Sequence, residues 1–134
     1  TVMVKDVSPT DPTHDELDAR AQFLSEQISP WGVPYEVVRI YCPSGTYYTN
    51  SLILNDKVLV PLFGDDEDAV ALQTYADAMP GYEVIGFPGT WYYYDALHCR
   101  TRAGFAPWAR ITSARCIGFT PVSRSCPATI ICGV

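Results

Sequence analysis

No run in this 134-residue chain approaches the roughly 18 apolar residues that a membrane-crossing helix needs. No basic-then-apolar leader with a cleavage site opens it, so a soluble piece with no membrane partner is the expectation. Histidine is scarce. His14 and His98 are the only two and lie far apart, which argues against a histidine-based metal site. The five cysteines, at 42, 99, 116, 126 and 132, show no C-x-x-C spacing and are odd in number. Neither a zinc site nor a complete disulfide framework is indicated, and the compartment stays open. Acidic residues are missing altogether after Asp95, while residues 96 to 134 carry five arginines. The net charge is −6, which argues against nucleic acid and anionic membranes as partners.

What is present is an ordinary globular composition, 48% hydrophobic and 18% charged, enough for one core of normal size. "VMVKDV" (2–7) reads as a strand leading into the turn-rich "SPTDPTHDE". A helix follows. Thr13 and Glu16 have the spacing of a capping box, and Leu17, Ala21, Leu24 and Ile28 form one apolar stripe that should stop before Pro30. His14 falls in the first turn as a solvated polar residue without a functional role. "VPYEVVRIYC" (33–42) reads as a strand, and "YYTNSLIL" and "KVLVPLF" flank Asn55-Asp56 as a tight hairpin. "DDEDAVALQTYADAM" reads as an acidic-ended helix with Leu72, Tyr75, Ala76 and Met79 buried, closed by Pro80-Gly81 and followed by the strand "YEVIGF" (82–87).

The two halves repeat as strand, acidic helix, strand. The offset is 56 residues at the first strand and 47 at the second, with Tyr35 and Tyr82 in equivalent places. Recurrence at about this period suggests a modular α/β architecture such as a propeller.

The segments "YTNSLILNDKVLVPLFG", "ALQTYADAMPGYEVIGF" and "DALHCRTR", in this order and spacing, resemble the C-terminal part of the bacterial peptidyl-arginine deiminase family. The likeness runs from about Thr1 to Arg102. It implies an α/β fold, about two ββαβ blades of the five-bladed, pentein-like propeller that the family shares with agmatine and arginine deiminases. The agmatine branch is similar too, but its glycine-rich run into "IHC" followed by Thr-Gln is absent from "TWYYYDALHCRTR".

By the same resemblance Cys99 matches the nucleophile and Asn50 a residue lining the guanidinium pocket. The implied activity is hydrolysis of an amidine C–N bond: a thiolate attacks the guanidinium carbon, ammonia leaves, and water converts the thiouronium to a ureido group, as in arginine to citrulline. The implied partner is a guanidino substrate, peptidyl-arginine or agmatine. No metal and no other cofactor is called for. The family's guanidinium-holding carboxylates and its proton-moving histidine come from an earlier His-x-Asp segment and an earlier aspartate, neither of which occurs here, so the isolated chain is expected to be inactive. If residues 92 to 102 are extended, His98 points away from Cys99 and cannot stand in. Asp95 is expected to anchor a loop.

Two segments are therefore expected, 1–102 as the deiminase-like part and 103–134 as an atypical tail, out of frame or truncated. Two alternatives stand beside this reading: agmatine deiminase in putrescine biosynthesis, and a non-catalytic α/β interaction module. Unpaired sheet edges and open apolar faces in such a piece lead to the expectation of self-association.

Overall fold

The computed structural model describes residues 1–92 and 95–101. The expected tail at 103–134, and with it Cys116, Cys126 and Cys132, lies outside the described residues. In chain order the elements are β1 (Val2–Asp6), α1 (His14–Ser25), β2 (Val37–Tyr41), β3 (Leu52–Leu54), β4 (Lys57–Leu62), α2 (Asp68–Ala78), β5 (Glu83–Pro88) and a 3-10 turn (His98–Arg100). β1 and β2 form a parallel pair, while β3, β4 and β5 form a mixed sheet in that order. No helix among the described residues is long and apolar enough to cross a membrane.

The register of the parallel pairs makes the repeat concrete. Val2 pairs with Val37 in the first unit and Val58 with Val84 in the second, the two pairings being related by the offsets found in the sequence. Tyr35 stands two residues before Val37 and Tyr82 two before Val84; Tyr35 packs on the cluster of Val2, Val4 and Ala21, Tyr82 on the main core that includes Val58 and Val60. The second unit has the order ββαβ; the described part of the first has only βαβ.

Alternation along the strands sends successive side chains to opposite faces. In the first unit Val2, Val4 and Val37 meet Ala21 and Leu24 of α1. Met3, Val38 and Ile40 point the other way and join the main core around Ala71, Tyr75 and Met79 of α2. Thus α2 is covered on one side by its own sheet and on the other by the first unit's β2. Val58, Val60, Tyr48 and Tyr75 are fully buried there. Each such apolar side chain contributes about 1.5–3 kcal/mol relative to exposure.

Several local expectations are corrected. Thr13 makes no capping bond to the helix. Its hydroxyl and its N–H both donate to Asp11 Oδ1, at 2.6 and 2.8 Å, so the side chain closes a turn before α1 instead of the helix end. Ile28 is 63% exposed because α1 stops at Ser25 and residues 28–34 form a separate turn. Ser29 N–H donates to Val33 O, and Gly32 takes the positive φ of 79° that the turn requires. That turn also delays β2 to Val37. In α2 and at its C-cap, Ala71, Tyr75 and Met79 are buried and Leu72 is half-buried against the same core, while Ala76 is exposed. His14 is half-buried, its Nδ1 3.3 Å from Val7 O and its Nε2 3.3 Å from Asp18. The hairpin stands as expected, with Leu54 opposite Lys57 and Asn55 at φ 54°.

Candidate active site

The segment after β2 is a buried loop, because its polar groups find partners inside the fold. Thr46 N–H and hydroxyl both donate to Pro43 O. Tyr48 is fully buried, edge-on to Phe63, and its hydroxyl donates to Asp68 Oδ1 at 2.8 Å. Tyr75 donates to Tyr48 O at 3.1 Å and therefore accepts from Ser51 Oγ at 2.8 Å. Burial pushes the Tyr75 phenol up, which keeps that donor protonated. Asn50 lies between the two anchored residues, Tyr48 and Ser51.

Chain returning from β5 meets Asn50. Trp91 Nε1 donates to Leu62 O, and Arg100 donates to both Thr90 O and Asp95, so Asp95 anchors a loop as expected. Ala96 and Leu97 are buried beneath the 3-10 turn. Three contacts then join turn and loop: His98 N–H to Asn50 O at 3.1 Å, Cys99 N–H to Asn50 Oδ1 at 3.2 Å, and Asn50 Nδ2 to Cys99 Sγ at 3.0 Å. One amide thus grips both the backbone and the sulfur of an exposed cysteine. Residues 98–100 are not extended but form the 3-10 turn, whose groups are satisfied locally, Arg100 N–H by Ala96 O and Leu97 O, Thr101 by His98 O. His98 does not line the cleft beside Cys99.

That cleft has a volume of about 630 Å³. Tyr47, Asn50 and Cys99 reach it from the loop and turn, Lys5 from β1, and Asp11, Thr13, Glu16 and Arg20 from α1 and its approach. The Thr13 hydroxyl and N–H, each donating to Asp11, hold its carboxyl below the usual aspartate value, so it is a stable negative charge. Glu16 is paired with Arg20 at 2.6 Å. The described free cysteines differ in kind: Cys42 is buried, with its thiol pushed up by burial, whereas Cys99 opens on the cleft.

Asp6, His14 and Asp18 bring three ligand-type atoms within 4.8 Å of one another. Arg39 already bridges Asp6 and Asp18, at 2.8 and 2.7 Å, and supplies the positive charge that a metal would.

The family model of the Porphyromonas-type peptidyl-arginine deiminase matches residues 1–103. The chain belongs to this family. A Vibrio parahaemolyticus protein provisionally named an agmatine deiminase is 26% identical over 106 residues, covering 60% of this chain and 29% of that protein. A crystal structure of a provisionally named arginine deiminase from Porphyromonas gingivalis superposes with a TM-score of 0.59 at 31% identity, over 72% of this chain and 32% of the other. The agmatine deiminase of Enterococcus faecalis shares the fold, with a TM-score of 0.54 at 22% identity, over 64% of this chain and 32% of that one. The chain spans about a third or less of the length of these relatives. Asn50 and Cys99 each stand in a recognisable local motif, and the fold brings them into contact. Lys5, Asp11 and Glu16 carry no such local mark, because only the tertiary fold brings β1 and the start of α1 to residue 99.

Proposed function

We propose that this chain is the part of a guanidino-group hydrolase that carries the nucleophile. Cys99 attacks the guanidinium carbon as a thiolate. The tetrahedral adduct collapses with loss of ammonia to a thiouronium, water adds, and the thiolate leaves with a ureido product. The observation that carries this reading is the double hold of Asn50 on Cys99, which fixes the sulfur's direction at the mouth of a cleft. Positioning of this kind is worth orders of magnitude in rate, because a misplaced nucleophile samples productive geometry rarely.

In this reading the two register-matched units are two blades of a closed five-bladed propeller, and the carboxylates and histidine that hold the cation and move protons are supplied by blades this chain lacks. Peptidyl-arginine is the preferred substrate. Agmatine is the second reading, favoured by the name of the Vibrio parahaemolyticus relative. The purified chain should form no ureido product from a peptide ending in arginine or from agmatine, and Cys99→Ala should look the same. A chimera in which residues 1–101 replace the matching third of the Porphyromonas gingivalis relative should regain turnover that Cys99→Ala abolishes. Turnover by the chain alone that vanishes in Cys99→Ala would overturn the division of the site between segments. A folded chimera without turnover would overturn the assignment of Cys99.

A further inference from the structure

Arg100 directly follows Cys99, and three separate contacts converge on its guanidinium. Its Nε donates to Asp95 Oδ2 at 3.1 Å, one terminal nitrogen donates to Thr90 O at 3.2 Å, and the central carbon lies 5.5 Å from the centre of the Trp91 ring. Trp91 is itself tied down. Its indole N–H donates at 2.9 Å to the carbonyl of Leu62, the last residue of β4, and its ring leans on Phe87 of β5. Gly89 makes room for that ring, since a Cβ there would meet Trp91 Cζ2 at 2.6 Å. A bracket therefore runs from the end of β4 through Trp91 to the residue beside the exposed cysteine.

Global stability does not account for this arrangement. The side chains of Arg100 and Asp95 are 43% and 58% exposed, and an ion pair so open to water stabilises a fold very little. What the contacts restrain is direction. A planar guanidinium fork meets a carboxylate, a carbonyl and a ring face at once, whereas an ammonium at this place would keep only the carboxylate. The backbone N–H of the same residue is bonded to Ala96 O and Leu97 O, so the backbone closes the 3-10 turn while the side chain ties it to the exit of β5. Asn50 holds Cys99 from the other side, through its N–H and its Sγ. A turn held only by Asn50 could pivot about that amide; a hold at the next residue removes the pivot. Arg100 does not line the cleft, so any influence it has on the reaction passes through Cys99.

We propose that Arg100 is a positioning residue for Cys99: its guanidinium, locked between Trp91, Asp95 and the Thr90 carbonyl, fixes the pitch of the 3-10 turn and with it the line along which the sulfur enters the cleft. The proposal rests on the reading of Cys99 as the nucleophile. It assigns the arginine its place by shape and not by charge.

The test is made on the intact chain and on the chimera that carries residues 1–101. In the chain, Arg100→Met should leave the urea midpoint within about 0.2 M of the parent. The amides of His98 and Cys99 should nevertheless exchange about tenfold faster, and the Cys99 Cβ resonance should move toward its position in urea. Arg100→Lys should behave like Arg100→Met. Gly89→Ala, which dislodges Trp91 and leaves every charge in place, should reproduce both. In the chimera, Arg100→Met should lower kcat about tenfold with KM unchanged. Rescue by Arg100→Lys would assign the effect to charge and overturn the proposal. So would parental exchange and Cβ shift in Arg100→Met, a silent Gly89→Ala, or a lower urea midpoint with faster exchange throughout the core, which would make Arg100 a merely structural part. A folded chimera without turnover counts against Cys99 as the nucleophile and leaves the exchange and resonance measurements to decide Arg100, so the two failures are distinguishable.

Discussion

Replacing Tyr75 by phenylalanine removes one oxygen from the middle of the core and leaves the ring in place. That oxygen donates to Tyr48 O and accepts from Ser51 Oγ, and all three residues are at least nine-tenths buried. The variant therefore strands a buried carbonyl and a buried hydroxyl. A buried polar group left without its partner costs about 1–3 kcal/mol, and since the Ser51 hydroxyl can rotate in search of another acceptor, about 2 kcal/mol for the pair is the expectation. With a urea dependence of about 2 kcal/mol per molar, the unfolding midpoint followed by far-UV circular dichroism should fall by about 1 M. Because Tyr48 and Ser51 flank Asn50, the effect should also reach the site: the amides of His98 and Cys99, which donate to Asn50, should exchange faster with deuterium. Ser51→Ala, alone and combined with Tyr75→Phe, closes a double-mutant cycle whose coupling should exceed about 0.5 kcal/mol. A midpoint within about 0.2 M of the parent would refute the claim that this hydroxyl ties α2 to the loop.

Asn50→Ala removes both holds on Cys99, and hydrogen–deuterium exchange should show the Cys99 amide losing protection while the amides of β4 keep theirs. Equal protection would mean that the turn stands without the clamp. Asp11 has a folded pKa below its unfolded one, so the turn with Thr13 contributes stability above the unfolded pKa that is lost as pH falls through the folded one. A carboxyl-carbon NMR titration should place Asp11 below the ordinary aspartate value of 3.8, and Thr13→Val should raise it; a parent midpoint at or above 3.8 refutes the assignment. Self-association is expected through the face of the second sheet that bears Leu59, Ile85 and the 46%-exposed Phe87. Light scattering should show concentration-dependent growth that Phe87→Glu suppresses, and a monodisperse monomer at about tens of micromolar would contradict it.

What could be read from the chain beforehand follows the range of the forces involved. The Asn55-Asp56 hairpin was legible because a two-residue turn is decided by the residues that make it. The ends of α1 were not. Thr13 and Glu16 fit a capping box by spacing, yet the Thr13 side chain turns to donate to Asp11 Oδ1 and makes no bond to the helix end. Ala76 fits the stripe of α2 as well as Ala71 does, and only the position of the neighbouring sheets decides between them. Asn50 and Cys99 could each be named from a local motif, but their contact spans 49 positions and belongs to the fold. Nothing local marks Lys5, which only the fold carries to the cleft that Cys99 lines.

The matched registers of the two units carry a consequence for how the molecule holds together. Met3, Val38 and Ile40 cover the second unit's helix, and the positions that correspond to them one unit later are Leu59, Ile85 and Phe87. The first unit therefore finishes the core of the second, as one course of brick beds the next. Stability in such an array belongs to the joints between neighbours more than to the units themselves. Truncating Met3 should loosen a helix some seventy residues away in sequence, and the loop that α2 anchors through Tyr75 would inherit the disturbance. The sulfur at position 99 would thus be steadied by the distant strand β1.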